Sequence, residues 1–331
     1  MLVAMAPFVT VAMPCLDEEA YVEACLASVF AQDYPADSFE VIVADGGSRD
    51  RTRSILEAIA AREPRLRVLD NPNKLQAAAL NVVLAAARGE VLVRMDVHCE
   101  YAPDYVSRAV EALEATGATN VGGAQRAKAN TSFQRALTAV LQSPLAVGGA
   151  KYRDAHAEGY VDTVFLGTFR VTDLRDLGGW DEEAATNEDA ELNQRILARG
   201  GRIYLSRSIV VHYYPRPTFR ALYKQYFRYG LGRARTALKH GGLPTLRPMA
   251  PFFLVTTAAL TAAVPSLRPL FCVGAALYVA ACGLETLRVG RHLRRREQLM
   301  CAGCFPVIHG AHGLGFATGL FRSLIARRKV F

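Results

Sequence analysis

Acid is almost missing from the last part of this chain: residues 201–331 hold two Asp and Glu against 20 Lys and Arg, a net of +18. Residues 1–200 carry the reverse, 19 Lys and Arg against 29 Asp and Glu, a net of −10. So polarised a chain does not read as one evenly solvated globule. It reads as an acidic soluble domain tethered at an anionic surface by a basic, apolar part. A nucleic-acid partner is disfavoured, because the arginines flank long apolar runs instead of interleaving with exposed aromatics. Cysteine is sparse and odd in number, seven in 331 residues. That argues against a secreted disulfide frame and for buried thiols in a reducing cytosol. Cys301 and Cys304 form a lone C-x-x-C in apolar surroundings, which reads as helix packing. No G-x-G-x-x-G follows the first apolar strand, which disfavours a dinucleotide-dependent dehydrogenase. The opening residues lack a basic stretch, so no secretory leader is expected and the acidic domain should stay in the cytoplasm.

What is present is an alternation of short apolar runs with helical patterns. Val9–Met13, Phe39–Ala44, Leu66–Leu69 and Glu90–Met95 read as strands. Helices are expected from Asp17, over about Asp50–Arg62, and over Leu75–Arg88, with Asp17-Glu18-Glu19 as an acidic first turn. This spacing implies right-handed crossovers and a mostly parallel sheet, an α/β fold whose ligands gather beyond the carboxyl ends of the strands. Later come a helix at Tyr105–Thr116, a strand near Val121–Gly123, a Gly-rich span to about Gly167, strands at Phe165–Val171 and Arg202–Ser206, and a helix at Glu188–Arg199. Two apolar segments, Met249–Leu267 and Leu270–Leu287, are each nearly long enough to cross a bilayer. Arginines flank the pair on both outer sides, which predicts a membrane hairpin with both ends cytoplasmic. A third stretch, Leu299–Leu324, ends in a basic tail and is expected to be re-entrant or interfacial. Buried core helices are the bland alternative for all three.

Polar clusters stand at the predicted strand ends. Asp96-Val97-His98 follows Val91-Leu92-Val93; a carboxylate and an imidazole two residues apart can seat one divalent cation whose shell is completed by diphosphate oxygens. An isolated D-x-H is more often an ordinary surface turn. Asn187-Glu188-Asp189 opens a helix, where one carboxylate could serve as a general base and where plain capping is the alternative. A carboxylate at a helix N-terminus is expected to be held ionised by the dipole. Asp45 before Gly46-Gly47 could bind a nucleotide base or ribose, or simply make a tight turn. Trp180, the one tryptophan, could stack on a sugar ring or fill the core. Arg228, within Gln225-Tyr226-Phe227-Arg228-Tyr229, could clamp a phosphate or belong to a membrane-surface belt.

Taken in order, these clusters resemble family 2 glycosyltransferases, and within them the ExoA-type exopolysaccharide transferases. The resemblance covers roughly residues 8–235. It rests on Val11 through Glu19, Val43-Ala44-Asp45-Gly46-Gly47-Ser48-Arg49-Asp50, Asn81 with Ala87-Arg88-Gly89-Glu90, Arg94 through His98, Gly178-Gly179-Trp180-Asp181-Glu182, and Asn187 through Leu192. It implies a GT-A fold, with a catalytic domain over 1–235 and a membrane-associated region with two or three apolar helices over 236–331. It also implies an inverting, single-displacement transfer of a hexose from a nucleotide-diphosphate sugar, UDP-linked, to a lipid-linked or envelope acceptor at the inner membrane. By this likeness Pro14, Glu18, Asp45, Asp96 and Arg228 contact the nucleotide sugar, and Asp189 is the base. Trp180 and Glu188 meet the acceptor, and Asp96 with His98 holds Mn2+ or Mg2+. Asp17 stands where the family usually has Asn, and His98 where it has a second metal carboxylate. Tyr229 replaces the Trp of the Q-x-x-R-W motif of processive synthases, which favours one sugar per encounter. A non-catalytic membrane scaffold of a polysaccharide assembly and a polyprenyl-phosphate glycosyltransferase are the competing readings.

Overall fold

The computed structural model describes residues 6–184, 186–242 and 246–328. Met1–Met5 of the opening residues and Lys329 of the basic tail lie outside them. In chain order the first elements are β1 (Val9–Cys15), α1 (Val22–Phe30), β2 (Phe39–Asp45), α2 (Thr52–Ala60), β3 (Leu66–Asp70), α3 (Gln76–Ala86), β4 (Val91–Arg94), β5 (Cys99–Tyr101), α4 (Tyr105–Thr116) and β6 (Asn120–Ala127). Then follow α5 (Ser132–Leu141), α6 (Pro144–Val147), β7 (Gly159–Tyr160), β8 (Phe165–Arg170), α7 (Val171–Asp176), α8 (Glu188–Ala198) and β9 (Ile203–Tyr213). The last four helices are α9 (Phe219–Lys239), α10 (Ala250–Ala263), α11 (Arg268–Val289) and α12 (Arg295–Arg328).

The chain forms two compact units, one of residues 1–126 and 154–213, the other of residues 127–153 and 214–331. A boundary at 235, as the sequence suggests, would fall inside α9.

The first unit is the expected α/β fold. Its sheet runs β3-β2-β1-β4-β8-β6-β9-β5, with β7 added on β9. The β3-β2-β1-β4 part is parallel, as the helical crossovers require. Beyond β4 the sheet continues with antiparallel pairs, β4 with β8 and β8 with β6. Strand β1 lies in the middle of the parallel part, and Val9, Thr10, Val11, Ala12 and Met13 are all fully buried. A strand covered on both faces reads as a continuous apolar run, which is why periodicity alone finds it. Its one hydroxyl is satisfied: Thr10 donates to the buried Glu40 at 2.9 Å and accepts from the Gly89 amide at 3.0 Å. Helix α1 starts only at Val22, so Asp17-Glu18-Glu19 is not a helical first turn but a loop with partners of its own.

In the second unit α12 packs chiefly on α9, and also on α10 and α5. The helices meet through small residues. A Cβ at Gly230 would collide with the His312 carbonyl, and one at Gly315 with the Phe227 carbonyl, so only glycine allows this crossing. Helix α5 lies inside the span read as Gly-rich and irregular. Its start is a capping box, with the Thr131 hydroxyl accepting from the Gln134 amide at 3.2 Å.

The apolar segments correct the expected hairpin. Met249–Leu267 yields α10, only 14 residues long, before Pro265 opens a separate turn. Fourteen residues rise about 21 Å, short of the roughly 30 Å of a bilayer core. Among the described residues, the two helices long and apolar enough to cross a membrane are Pro265–Val289 and Arg295–Ser323. Along the first of these Leu270, Val273, Leu277, Val279, Leu284 and Leu287 are all more than half exposed. Contiguous apolar surface of that extent calls for a non-aqueous neighbour.

Candidate active site

The loops after β1 and β2 are stitched together by side chains. Asp17 has a left-handed backbone (φ 54°), a conformation that Asn and Asp tolerate better than other residues with a Cβ. This explains why Asp can stand at a position where Asn is usual. The Asp17 amide donates to Ser48 Oγ at 2.9 Å, and its carboxylate accepts from the Arg49 amide at 2.8 Å. The Glu18 amide donates to Thr52 Oγ1 at 2.8 Å. Asp45, buried at the end of β2, accepts from the Ser48 hydroxyl at 2.6 Å. Pro14 sits half-buried in β1 beside Ala44 of β2, at the same strand ends.

After β4 the Asp96 backbone is fixed by Tyr101, whose hydroxyl accepts from the Asp96 amide at 2.6 Å and lies 2.9 Å from its carbonyl. The Asp96 carboxylate receives Arg94 Nε at 3.0 Å and Nη2 at 3.3 Å. The third guanidinium nitrogen, Nη1, reaches Glu188 at 3.3 Å and Asp189 at 2.5 Å. Arg94 is only 3% exposed. One buried cation therefore organises three carboxylates from two distant segments. His98 places Nδ1 3.1 Å from Glu18 Oε1 and so links this loop to the one after β1.

Helix α8 begins at Glu188, after Asn187 in the left-handed region (φ 60°), which turns the chain sharply into the helix. Asp189 uses a single oxygen, Oδ1, for both Arg94 and the Trp180 indole N–H, the latter at 3.2 Å. Among the described residues nothing hydrogen-bonds its Oδ2, and the side chain is 35% exposed. Glu188, the first residue of the helix, is 7% exposed. Burial, and after it the charge of Asp189, push its carboxyl up to about 7 against the opposing pull of Arg94.

Trp180 is 2% exposed and packs edge-on to Phe169, so its ring offers no face for stacking on a sugar. Trp180 is thus engaged by Phe169 and by the Asp189 carboxylate, and Glu188 by Arg94. The Trp180 backbone is clamped by Asn81, which accepts from its amide and donates to its carbonyl, each at 2.8 Å. Gly179 (φ 68°) passes so close to Asn81 that a Cβ there would overlap the amide oxygen. Of the candidate residues, Pro14, Glu18, Asp45, Asp96, His98, Trp180, Glu188 and Asp189 belong to the first unit; Arg228 is carried on α9 of the second.

The profile for "Glycosyl transferase family 2" matches residues 10–174, and that for "Glycosyl transferase family group 2" matches residues 167–284. The succinoglycan biosynthesis protein ExoA of Rhizobium meliloti is 36% identical over 321 residues, 96% of either chain. The chain belongs to glycosyl transferase family 2. A dolichyl-linked N-acetylglucosaminyl phosphate diacetamidodideoxyglucuronosyltransferase of Methanococcus voltae is 23% identical over 98% of this chain and 99% of its own. Among solved structures, a mannosyltransferase of Pyrobaculum calidifontis in complex with GDP-Man and Mn2+ superposes with a TM-score of 0.66 at 21% identity, covering 96% of this chain and 88% of its own. TarS of S. aureus in complex with UDP superposes with a TM-score of 0.52 at 15% identity, covering 95% and 91%. The fold is thus GT-A, and the protein is a glycosyltransferase.

Two residues of this glycosyltransferase carry more than motif reading gave them. Arg94 reads as the polar end of a strand, and no local pattern shows that two of its partners, Glu188 and Asp189, lie 94 and 95 positions away. Arg195 is legible in part, as an i,i+4 partner of Glu191, which it meets at 2.7 Å. It also donates to the Leu177 carbonyl at 2.7 Å and the Gly179 carbonyl at 2.8 Å, and so holds the glycine turn before Trp180. As for a metal, no cluster of three or more His, Cys, Asp or Glu able to hold an ion occurs among the described residues. Of the expected donors, the Asp96 carboxylate accepts from Arg94 and Gln76, and His98 Nδ1 meets Glu18; as one carboxylate and one imidazole they would need a cation that brings oxygen ligands of its own from a diphosphate.

Proposed function

We propose that this family 2 glycosyltransferase moves a hexose, with inversion, from a UDP-linked sugar to a lipid-linked or envelope polysaccharide acceptor. The carrying observation is the division of labour within Asp189: Oδ1 is anchored by Arg94 and Trp180, while Oδ2 is open. A carboxylate held by one oxygen and free at the other is suited to take a proton without changing position. In the proposed step the acceptor hydroxyl gives its proton to Asp189 Oδ2 as its oxygen bonds to the anomeric carbon. The bond from that carbon to the diphosphate oxygen breaks, and the nucleoside diphosphate leaves with the electron pair.

Asp45, Glu18 and Pro14, at the ends of β1 and β2, are assigned to the nucleotide, and Arg228 to its diphosphate. Asp96 and His98 would hold a divalent cation, Mn2+ or Mg2+, which neutralises charge on the departing diphosphate. Imidazole among the donors tilts the choice toward manganese. Support for the donor class comes from the GDP-Man and UDP complexes of the structural neighbours. Support for the acceptor class comes from the succinoglycan and dolichyl-linked roles in the relatives' names. Catalysis is assigned to the first unit and attachment to the inner membrane to the second, with the catalytic side cytoplasmic.

Asp189→Asn tests the base. Nucleotide affinity should stay at the wild-type value while transfer falls by about 10²–10⁴-fold. Transfer near the wild-type rate, measured across a panel of nucleotide sugars, would overturn the assignment.

A further inference from the structure

The second unit contains a cavity of about 950 Å³ between α5 and the turn that joins α11 to α12. Its lining is cationic: Lys128, Arg135, Arg288, Arg291 and Arg294 contribute, with His292 beside them, against one carboxylate, Glu297. That carboxylate is committed. One oxygen is 2.7 Å from Arg135, and the other accepts the Arg294 amide at 3.1 Å. Arg288 is likewise occupied, at 2.6 Å from Glu285. Arg291, His292 and Arg294 are exposed, and among the described residues their side chains make no hydrogen bond or ion pair. Two uncommitted guanidinium groups, Arg291 and Arg294, on the rim of one otherwise cationic hollow describe a receptor for a multiply charged oxyanion.

The position of the hollow says where that anion comes from. Leu284 and Leu287, 70% and 62% exposed, belong to the helix read as membrane-crossing, and Arg288 follows them directly. The cations therefore begin where the lipid-facing surface ends, at the depth of the headgroups. We propose that this cavity binds the phosphate of an anionic lipid, with Arg291 and Arg294 as its principal contacts. The shared chemistry is a lipid-borne phosphate, supplied either by a bilayer phospholipid or by a polyprenyl phosphate. The inference does not depend on the proposed transfer, and its test reads binding alone.

The test uses the full chain in neutral detergent, titrated with short-chain phosphatidylglycerol, short-chain polyprenyl phosphate, phosphatidylcholine and inorganic phosphate, with bound lipid counted by native mass spectrometry. Saturable binding of one anionic lipid is expected, well above that of phosphatidylcholine, and whichever of the two anionic lipids binds more tightly names the source. Arg291→Gln with Arg294→Gln should weaken it by about 25-fold, roughly fivefold for each charge near the membrane surface. Arg291→Lys with Arg294→Lys should retain most of it, and UDP affinity should not change in either variant. Equal binding of phosphatidylcholine, wild-type affinity in the Gln pair, or inorganic phosphate binding as tightly as the lipids would each overturn the proposal.

Discussion

Arg94 Nη1 meets Asp189 across 95 positions of sequence, while the rest of the same guanidinium grips Asp96 two residues away. The proposed base and the proposed diphosphate-side carboxylate are thus set by one side chain. If either moved, the other would lose a partner. This rigidity is what a single-displacement site needs, because misplacement by an ångström removes much of the advantage of a positioned base.

The first prediction concerns that guanidinium. Arg94→Met keeps much of the volume but leaves Asp96, Glu188 and Asp189 facing one another without a cation. Breaking such a buried arrangement from one side costs about 3–5 kcal/mol. We expect a marked fall in the denaturation midpoint together with loss of transfer. Arg94→Lys should recover part of the stability but little of the activity, since an ammonium cannot span both carboxylates as a planar fork does. Thermal melts and transfer assays on the pair of variants check this. A Met variant as stable as wild type would show that the cluster is not held by its charge.

A milder perturbation is available at Trp180. Its indole N–H donates to Asp189 Oδ1 at 3.2 Å, whereas its ring packs on Phe169. Trp180→Phe removes the donor and keeps an aromatic ring. Losing a hydrogen bond to a charged acceptor costs about 1.5–3 kcal/mol, so stability should fall within that range. Turnover should drop while the KM for the nucleotide sugar stays near wild type, because the indole supports the base and touches no donor group. A changed KM with unchanged turnover would instead return Trp180 to substrate contact.

The pH dependence of the fold should carry the mark of Glu188. Its carboxyl is raised to about 7, chiefly by burial and then by the charge of Asp189. Between the ordinary carboxylate range and pH 7 the folded state thus keeps a proton that the unfolded chain releases. The stabilising contribution is complete below the unfolded pKa and is lost as pH rises through 7. Glu188→Gln, permanently neutral, should flatten this slope. Above pH 7 it should be more stable than wild type by on the order of 2–3 kcal/mol, in denaturant melts between pH 5 and 8. A slope identical to that of wild type would place the titration elsewhere.

Much of this site was legible in the sequence, and what escaped did so for definite physical reasons. The parallel strands were visible because β1, β2 and β4 are apolar runs closed by polar clusters, and those clusters do meet at one sheet edge. Asp189 and Glu188 were visible as an acidic helix start. Their environments were not, since burial and ion pairing are set by residues a hundred positions away. At Glu188, which the dipole argument for the base did not address, desolvation dominates. Trp180 was ambiguous between ring stacking and core, and only its contact with Phe169 decides. The Met249–Leu267 segment misled because hydropathy counts apolar residues across Pro265, whereas a helix ends before it. Helix α5 hid behind neighbouring glycines, although its Thr131-x-x-Gln134 capping box stood in plain view.

The last prediction tests the helix crossing on which the second unit depends. Helices α9 and α12 approach through Gly230, Gly315 and Gly319, the last facing Ala234. The spacing of Gly315 and Gly319 on one helix, and of Gly230 and Ala234 on the other, puts small residues on matching faces four apart. Gly315→Leu would drive a side chain into the Phe227 carbonyl on α9, where no rotamer avoids the backbone. Overpacking of a close crossing costs about 1–3 kcal/mol, and more when the obstacle is main chain. The expected outcome is a lower melting temperature in detergent and faster proteolysis after α9, with nucleotide affinity spared. Gly310→Leu is the control, because a Cβ there meets nothing within 4 Å. If the two variants melt at the same temperature, the crossing is looser than its glycines imply.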